Sequence, residues 1–124
     1  MSHPSRLLLA ALVWCGAALP APPALAQSEA DVAYQDAKKA FAAEDFAQAR
    51  DLLIKASQTA PRNPDIWVLL GDAHLRLGEL DEALAAWQRT LVLAPEQAYA
   101  KRMVAALQGR RLEAARAARG CWRA

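Results

Sequence analysis

The sequence predicts an all-α fold: two stacked helical hairpins followed by a final helix. Three observations predict it. First, two stretches offset by 34 residues, 30–63 and 64–97, carry matching side chains. Ala37 pairs with Gly71, Phe46 with Leu80, Ala49 with Ala83, Leu53 with Trp87 and Pro61 with Pro95. A fixed period of that length marks a unit that cannot bury its apolar face alone and stacks on its neighbour. Second, apolar residues recur at helical spacing between helix-terminating glycines and prolines. Third, strand signals are missing, because β-branched residues are sparse and apolar–polar alternation is absent.

The first 26 residues read as a leader rather than as part of the fold. His3 and Arg6 give a short positive start, and Leu7 to Leu19 is apolar but short for a bilayer span. Pro20, Pro22 and Pro23 interrupt any helix, and Ala24-Leu25-Ala26 supplies the small residues that a signal peptidase pocket accepts. Cleavage is expected between Ala26 and Gln27, with an uncleaved anchor as the alternative. Cys15 follows the bulky Trp14, where a lipidation signal wants a small residue, so the downstream site is the better reading. Loss of the leader leaves Cys121 alone, either as a free thiol or as half of an intermolecular bridge.

The remaining elements follow in order. Ser28, three residues before Asp31, is expected to cap a first helix that runs to about Ala43. Glu44-Asp45 forms a turn into a second helix, roughly Phe46 to Thr59, with Ala49, Leu52, Leu53 and Ala56 on one face. Asn63 caps a third helix. Pro64 suits its first position, and Gly78 ends it. The fourth helix spans about Leu80 to Leu93 and stops before Pro95. The fifth is expected from about Glu96 to Ala118, weakened at Gly109, with 120–124 as a short tail. Charge is unevenly spread. From Gln27 to Ala100 there are seven Lys/Arg against twelve Asp/Glu, whereas Lys101 to Ala124 holds seven against one. An acidic body therefore carries a basic end.

The second unit reads Trp67, Leu70-Gly71, His74, Gly78, Leu80, Ala83, Trp87, Thr90 and Pro95, and it closely resembles the tetratricopeptide repeat. His74 stands where that family usually has Tyr. The first unit keeps Ala37, Phe46, Ala49, Leu53, Ala56 and Pro61 but has Ala33 in place of the Trp and Asp36 in place of the Leu, which suits an end repeat that meets water. The resemblance implies a right-handed helical-hairpin solenoid of two repeats plus a capping helix, packed through Trp67, Leu70, Gly71, Ala83, Trp87 and Pro95. Small residues let antiparallel helices approach, and large ones fill the space beside them. The helix after Pro95 is read either as the solvating cap or as the start of a longer array.

No enzyme is expected, since no acid, base, nucleophile or metal set converges. His74 has no second His or Cys at a ligand spacing and reads as a core residue with its ring nitrogen hydrogen-bonded. Asp81-Glu82 and Glu44-Asp45 sit at helix starts, where the helix dipole favours them. The glycines are isolated, so no phosphate loop forms and no cofactor is expected.

The resemblance implies instead a protein-interaction module whose first helices line a concave groove. The groove positions carried over are Tyr34, Lys38 and Phe41 on the first helix, Val68, Asp72, Leu75 and Arg76 on the third, and Arg102 on the last, with Tyr99 in the same line. The other reading of these residues is that they fill the bend or meet the neighbouring helix. Tyr34 and Lys38 stand where a terminal-carboxylate clamp would need Lys and Asn, so no such clamp is expected. The expected partner is a peptide or helix segment of another protein in the bacterial envelope, periplasmic or secreted. Self-stacking, or service as the N-terminal arm of a longer protein, are the alternatives. For the basic end a solvated helix terminus is the first reading and anionic membrane contact the second; nucleic acid is not expected.

Overall fold

The computed structural model describes residues 22–120. They form α1 (Pro23–Ala42), α2 (Phe46–Thr59), α3 (Pro64–Arg76), α4 (Leu80–Leu93) and α5 (Ala98–Gly120). Each helix packs on the next in the chain, giving two antiparallel hairpins, α1–α2 and α3–α4, with α5 laid against α4. The apolar leader, Cys15 and Cys121 lie outside the described residues. Among the described residues no helix is long and apolar enough to cross a membrane.

The 34-residue period governs the helix ends. α2 and α4 start and stop one period apart, α1 and α3 end one period apart, and α5 begins one period after α3. Local chemistry explains the shared boundaries. Asp45 caps α2 by accepting from the Gln48 N–H at 3.1 Å, and Asn63 caps α3 by accepting from the Asp65 N–H at 3.0 Å, with Pro64 at the first helical position. After each first helix the chain turns through one left-handed residue: Gly78 with φ 78° after α3, and Glu44 with φ 61° after α1. Glycine adopts that conformation freely, whereas a residue with a Cβ bears a cost of about 1–2 kcal/mol.

Two expected boundaries are corrected. Ser28 does not cap α1. The helix starts five residues earlier at Pro23, because the Pro22-Pro23 pair provides an entry of its own with proline at the first position. Pro95 does not open α5 either. It sits in a turn closed by Gln97 N–H to Ala94 C=O at 3.1 Å, the counterpart of Asn63 N–H to Ala60 C=O, and the helix begins at Ala98. α5 runs unbroken through Gly109.

The core has two centres. One joins Ala33, Ala37, Leu53, Ala56, Ile66, Leu70, Ala73 and Ala86; the other joins Ala83, Leu84, Trp87, Ala100 and Leu107. Alanine dominates where helices approach most closely, and Trp87 is fully buried between them. One close approach is at Gly71. A Cβ there would lie 2.4 Å from the Trp87 Nε1 and 2.7 Å from two further indole atoms. Positions that are buried or half-buried in the middle of the array are polar and exposed on α1 and α5. Asp36 and Lys39, an exposed ion pair at 3.2 Å, stand one period before Leu70 and Ala73. On α5, exposed Lys101 and Gln108 stand one period after Trp67 and His74.

Two outcomes follow in urea or thermal unfolding. Gly71→Ala destabilises by roughly 1–3 kcal/mol, because a rigid indole cannot give way. Glu44→Gly stabilises by about 0.5–1 kcal/mol, the left-handed strain relieved less the added flexibility of the unfolded chain.

Candidate functional site

The residues expected to form a groove lie on α1, α3 and α5, the odd helices of the array. On α1, Tyr34 is half-buried against the first core centre, and the Lys38 ammonium stands 5.6 Å from its ring centroid. Burial, with the Asp65 charge beside it, pushes the Tyr34 phenol up from its ordinary value. On α3, Val68 and Leu75 are half-buried, and Leu75 packs on the second core centre. Asp72 accepts a hydrogen bond from the Tyr99 hydroxyl of α5 at 2.8 Å. Tyr99 also meets the Trp87 ring edge-on at 6.5 Å. Arg76 and Arg102 both act on this tyrosine through their charge.

The electrostatics of this pair are mutual. Burial first, then the bond to Asp72, pushes the Tyr99 phenol up to about 12. Burial also raises the Asp72 carboxyl above its ordinary 3.8, while the Tyr99 hydroxyl, the nearby Trp87 indole N–H and Arg76 pull it back down. The Trp87 N–H helps through its field alone: it makes no hydrogen bond of proper geometry and stays buried without a partner among the described residues. Asp72 is thus engaged within the fold, as is Phe41. That ring turns toward α2 and packs edge-on against Phe46 at 5.0 Å, with the Arg76 guanidinium 5.2 Å from the Phe46 centroid. Tyr34, Lys38, Val68 and Arg102 keep surface toward solvent.

Of the packing residues, Leu70, Gly71, Ala83 and Trp87 are buried and Pro95 is an exposed turn residue. Trp67 is half-buried. Its Nε1–H donates to the Pro61 carbonyl at 2.9 Å, and the Arg89 guanidinium lies 5.8 Å from its ring centroid.

A polar cluster that sequence reasoning missed joins the two hairpins. Glu79, in the turn between α3 and α4, accepts from Arg50 Nη1 of α2 at 2.7 Å and from His74 Nδ1 of α3 at 2.5 Å. An ionised carboxylate only accepts, so the imidazole carries its hydrogen on Nδ1. The bond from His74, and after it Arg50, holds the Glu79 carboxyl below its ordinary 4.5. The signal available in the sequence was register: Glu79 stands one period after the capping Asp45, and one period on the turn faces the preceding hairpin at Arg50.

Cavities open elsewhere. One lies between α1 and α2 beside Val32 and Leu52, and another lies between α4 and α5 beside Leu80 and Leu84. Neither is lined by the row on α1, α3 and α5. Among the described residues no group of three or more His, Cys, Asp or Glu is placed to hold a metal ion.

Comparison with known proteins agrees with this architecture. The sequence profile of the family described as Tetratricopeptide repeat matches residues 40–107, more than half of the chain. The chain belongs to the tetratricopeptide-repeat family. No curated protein sequence matches it. Among solved structures it is similar to the "MamA R50E mutant", at 24% identity and a TM-score of 0.61, over 71% of this chain and 69% of that one. That likeness shows the fold. Tetratricopeptide repeats are interaction scaffolds, and the half-buried Trp67, buried Gly71 and buried Trp87 occupy the places that make the hairpin of the repeat.

The Glu79 cluster has a definite pH signature. Its folded pKa lies below the unfolded one, so its stabilisation is fully present above about pH 4.5 and is lost as pH falls through the folded value. Asp72, raised by the fold, works in the opposite direction over the same acid range. Glu79→Gln therefore lowers the melting temperature at pH 7, and the gap between parent and variant closes below pH 4.5. Parallel thermal melts of parent and variant across that range check this.

Proposed function

We propose that this chain is a non-enzymatic adaptor of the bacterial cell envelope that holds a segment of another protein along the row formed by α1, α3 and α5. The observation that carries this reading is a combination on one row. Half-buried Tyr34, Val68 and Leu75 offer apolar anchors. Lys38, Arg76 and Arg102 have no carboxylate within 4.0 Å among the described residues. Recognition surfaces of this kind draw affinity from a few aromatic and aliphatic anchors and register from flanking charges. Asp72 and Tyr99 serve this surface as support: their bond ties α3 to α5, so that the row is rigid before a partner arrives, which lowers the ordering cost of binding.

The envelope assignment rests on the leader. A positive start, the apolar Leu7–Leu19 stretch and Ala24-Leu25-Ala26 together fit export with cleavage before Gln27. Cleavage there would remove the first four residues of α1 and leave the helix to begin at Gln27. That loss is small, since the buried positions of α1 start at Ala30.

Affinity capture from an envelope extract tests the proposal, with the parent beside a Tyr34→Ala/Leu75→Ala double variant. The expected outcome is a discrete partner retained by the parent and lost by the variant, while circular dichroism shows the same helicity for both. Equal capture by both proteins would overturn the assignment of the row.

A further inference from the structure

We propose that the cavity between α4 and α5 is a docking socket for an acidic–aliphatic turn of a partner protein. The internal repeat carries the argument. The α2–α3 and α4–α5 junctions are the same arrangement one period apart, since helix starts coincide at Phe46 and Leu80 and at Pro64 and Ala98. The walls therefore correspond: Leu80, Leu84, Leu107 and Arg110 of the second junction stand where Phe46, Arg50, Ala73 and Arg76 stand in the first.

The first junction is covered by the chain itself. α3 stops at Arg76, Gly78 reverses the backbone with φ 78°, and the turn delivers the Glu79 carboxylate to Arg50 at 2.7 Å and sends Leu80 into α4. Among the described residues the second junction receives no such turn. Leu112 occupies the register of Gly78, the backbone stays helical, and α5 continues to Gly120 with residues 111–120 all exposed. What remains among the described residues is an open cavity of about 370 Å³ over Leu80, Leu84, Leu107 and Ala114, flanked by Arg110, Arg111 and the carboxylate of Asp81. Leu80 is 45% exposed there, although its counterpart Phe46 is covered on two sides by Phe41 and Arg76.

The occupant follows from two features: the matching space one repeat earlier takes a reversing segment that brings a carboxylate to Arg50, and the floor of the second socket is aliphatic. The second socket is changed in a matching way. Leu84 in place of Arg50 makes its floor more apolar, and the cations that remain are on α5: Arg110, the counterpart of Arg76, and Arg111. Arg111 is engaged with Asp81 at 3.3 Å, whereas Arg110 has no carboxylate within 4.0 Å among the described residues. An aliphatic side chain seated on Leu80, Leu84 and Leu107, with an adjoining Asp or Glu reaching Arg110, satisfies both features. The socket shares no residue with the row on α1, α3 and α5, so the two proposals stand or fall separately.

The test uses the whole chain labelled with ¹⁵N and a terminally blocked peptide reproducing residues 75–84, the chain's own turn. Amide shifts on titration are expected to cluster at Leu80, Leu84, Leu107 and Arg110. A probe carrying Glu79→Gln binds about threefold more weakly, and so does the parent peptide to the Arg110→Gln protein. Combining the two changes brings little further loss, because they remove one ion pair. Shifts absent or confined to other faces, or affinities indifferent to both changes, would overturn the proposal. So would a chain that sediments as a dimer which the peptide dissolves, since that places a second copy in the socket.

Discussion

The array depends on the contact between Trp87 and the backbone of α3 at Gly71. Only a residue without a side chain lets the indole lie there, as the 2.4 Å separation from a notional Cβ shows. Trp87 then fills the α3–α4 hairpin and meets Tyr99 of α5, so a single ring spans the second core centre. The arrangement carries a penalty, because the indole N–H is buried without a partner among the described residues. An unmade hydrogen bond costs about 1–3 kcal/mol, whereas emptying a tryptophan site costs roughly 3–5 kcal/mol. Packing therefore outweighs the orphaned donor, and the Asp72 carboxylate nearby softens its isolation electrostatically. Asp72 in turn binds Tyr99, so the same contact fixes the spacing of α3 and α5 on which the proposed recognition row is laid.

The repeat period does two kinds of work. It fixes which positions point inward, and the residues placed at those positions decide whether an inward position meets another hairpin or water. Leu70 and Ala73 become Asp36 and Lys39 one period earlier; Trp67 and His74 become Lys101 and Gln108 one period later. Similarly, Gly78 reverses the chain, while Leu112 in its register lets α5 run straight. The fold is uniform in backbone and graded in chemistry, as stability by nearest-neighbour stacking requires.

The hairpins were legible before the structure because their punctuation is local. Gly78 and Pro95 bracket α4, and Asn63-Pro64 opens α3, with no tertiary information needed. Two starts were misread for local reasons as well. Ser28 is a good cap in isolation, but the Pro22-Pro23 pair starts a helix upstream and makes Ser28 an interior residue. Pro95 looks like a first helical residue until its register with Pro61, a turn proline, is followed. The candidate surface was legible as helix faces but not as contacts. Whether Phe41 faces outward or meets Phe46, and whether Asp72 is free or bound by Tyr99, depends on the rotation of one helix against another, which periodicity does not encode. The Arg50–Glu79–His74 cluster was hidden for the same reason, and the cavity beside Leu84 because it arises from a turn that is missing.

Each helix here rests on the one before it, and no helix depends for its main contacts on a distant part of the chain. Loop closures are short, so contacts form without a costly search, and topologies of this kind fold quickly. The order of packing is also the order of synthesis. A chain emerging N-terminus first, from a ribosome or through a translocation pore, can dock α2 on α1 while α3 is still threaded, and Trp87 finds Gly71 as soon as α4 is released. A chain released one helix at a time is well served by an architecture in which each new helix finds its main packing surface on the helix that came out just before it.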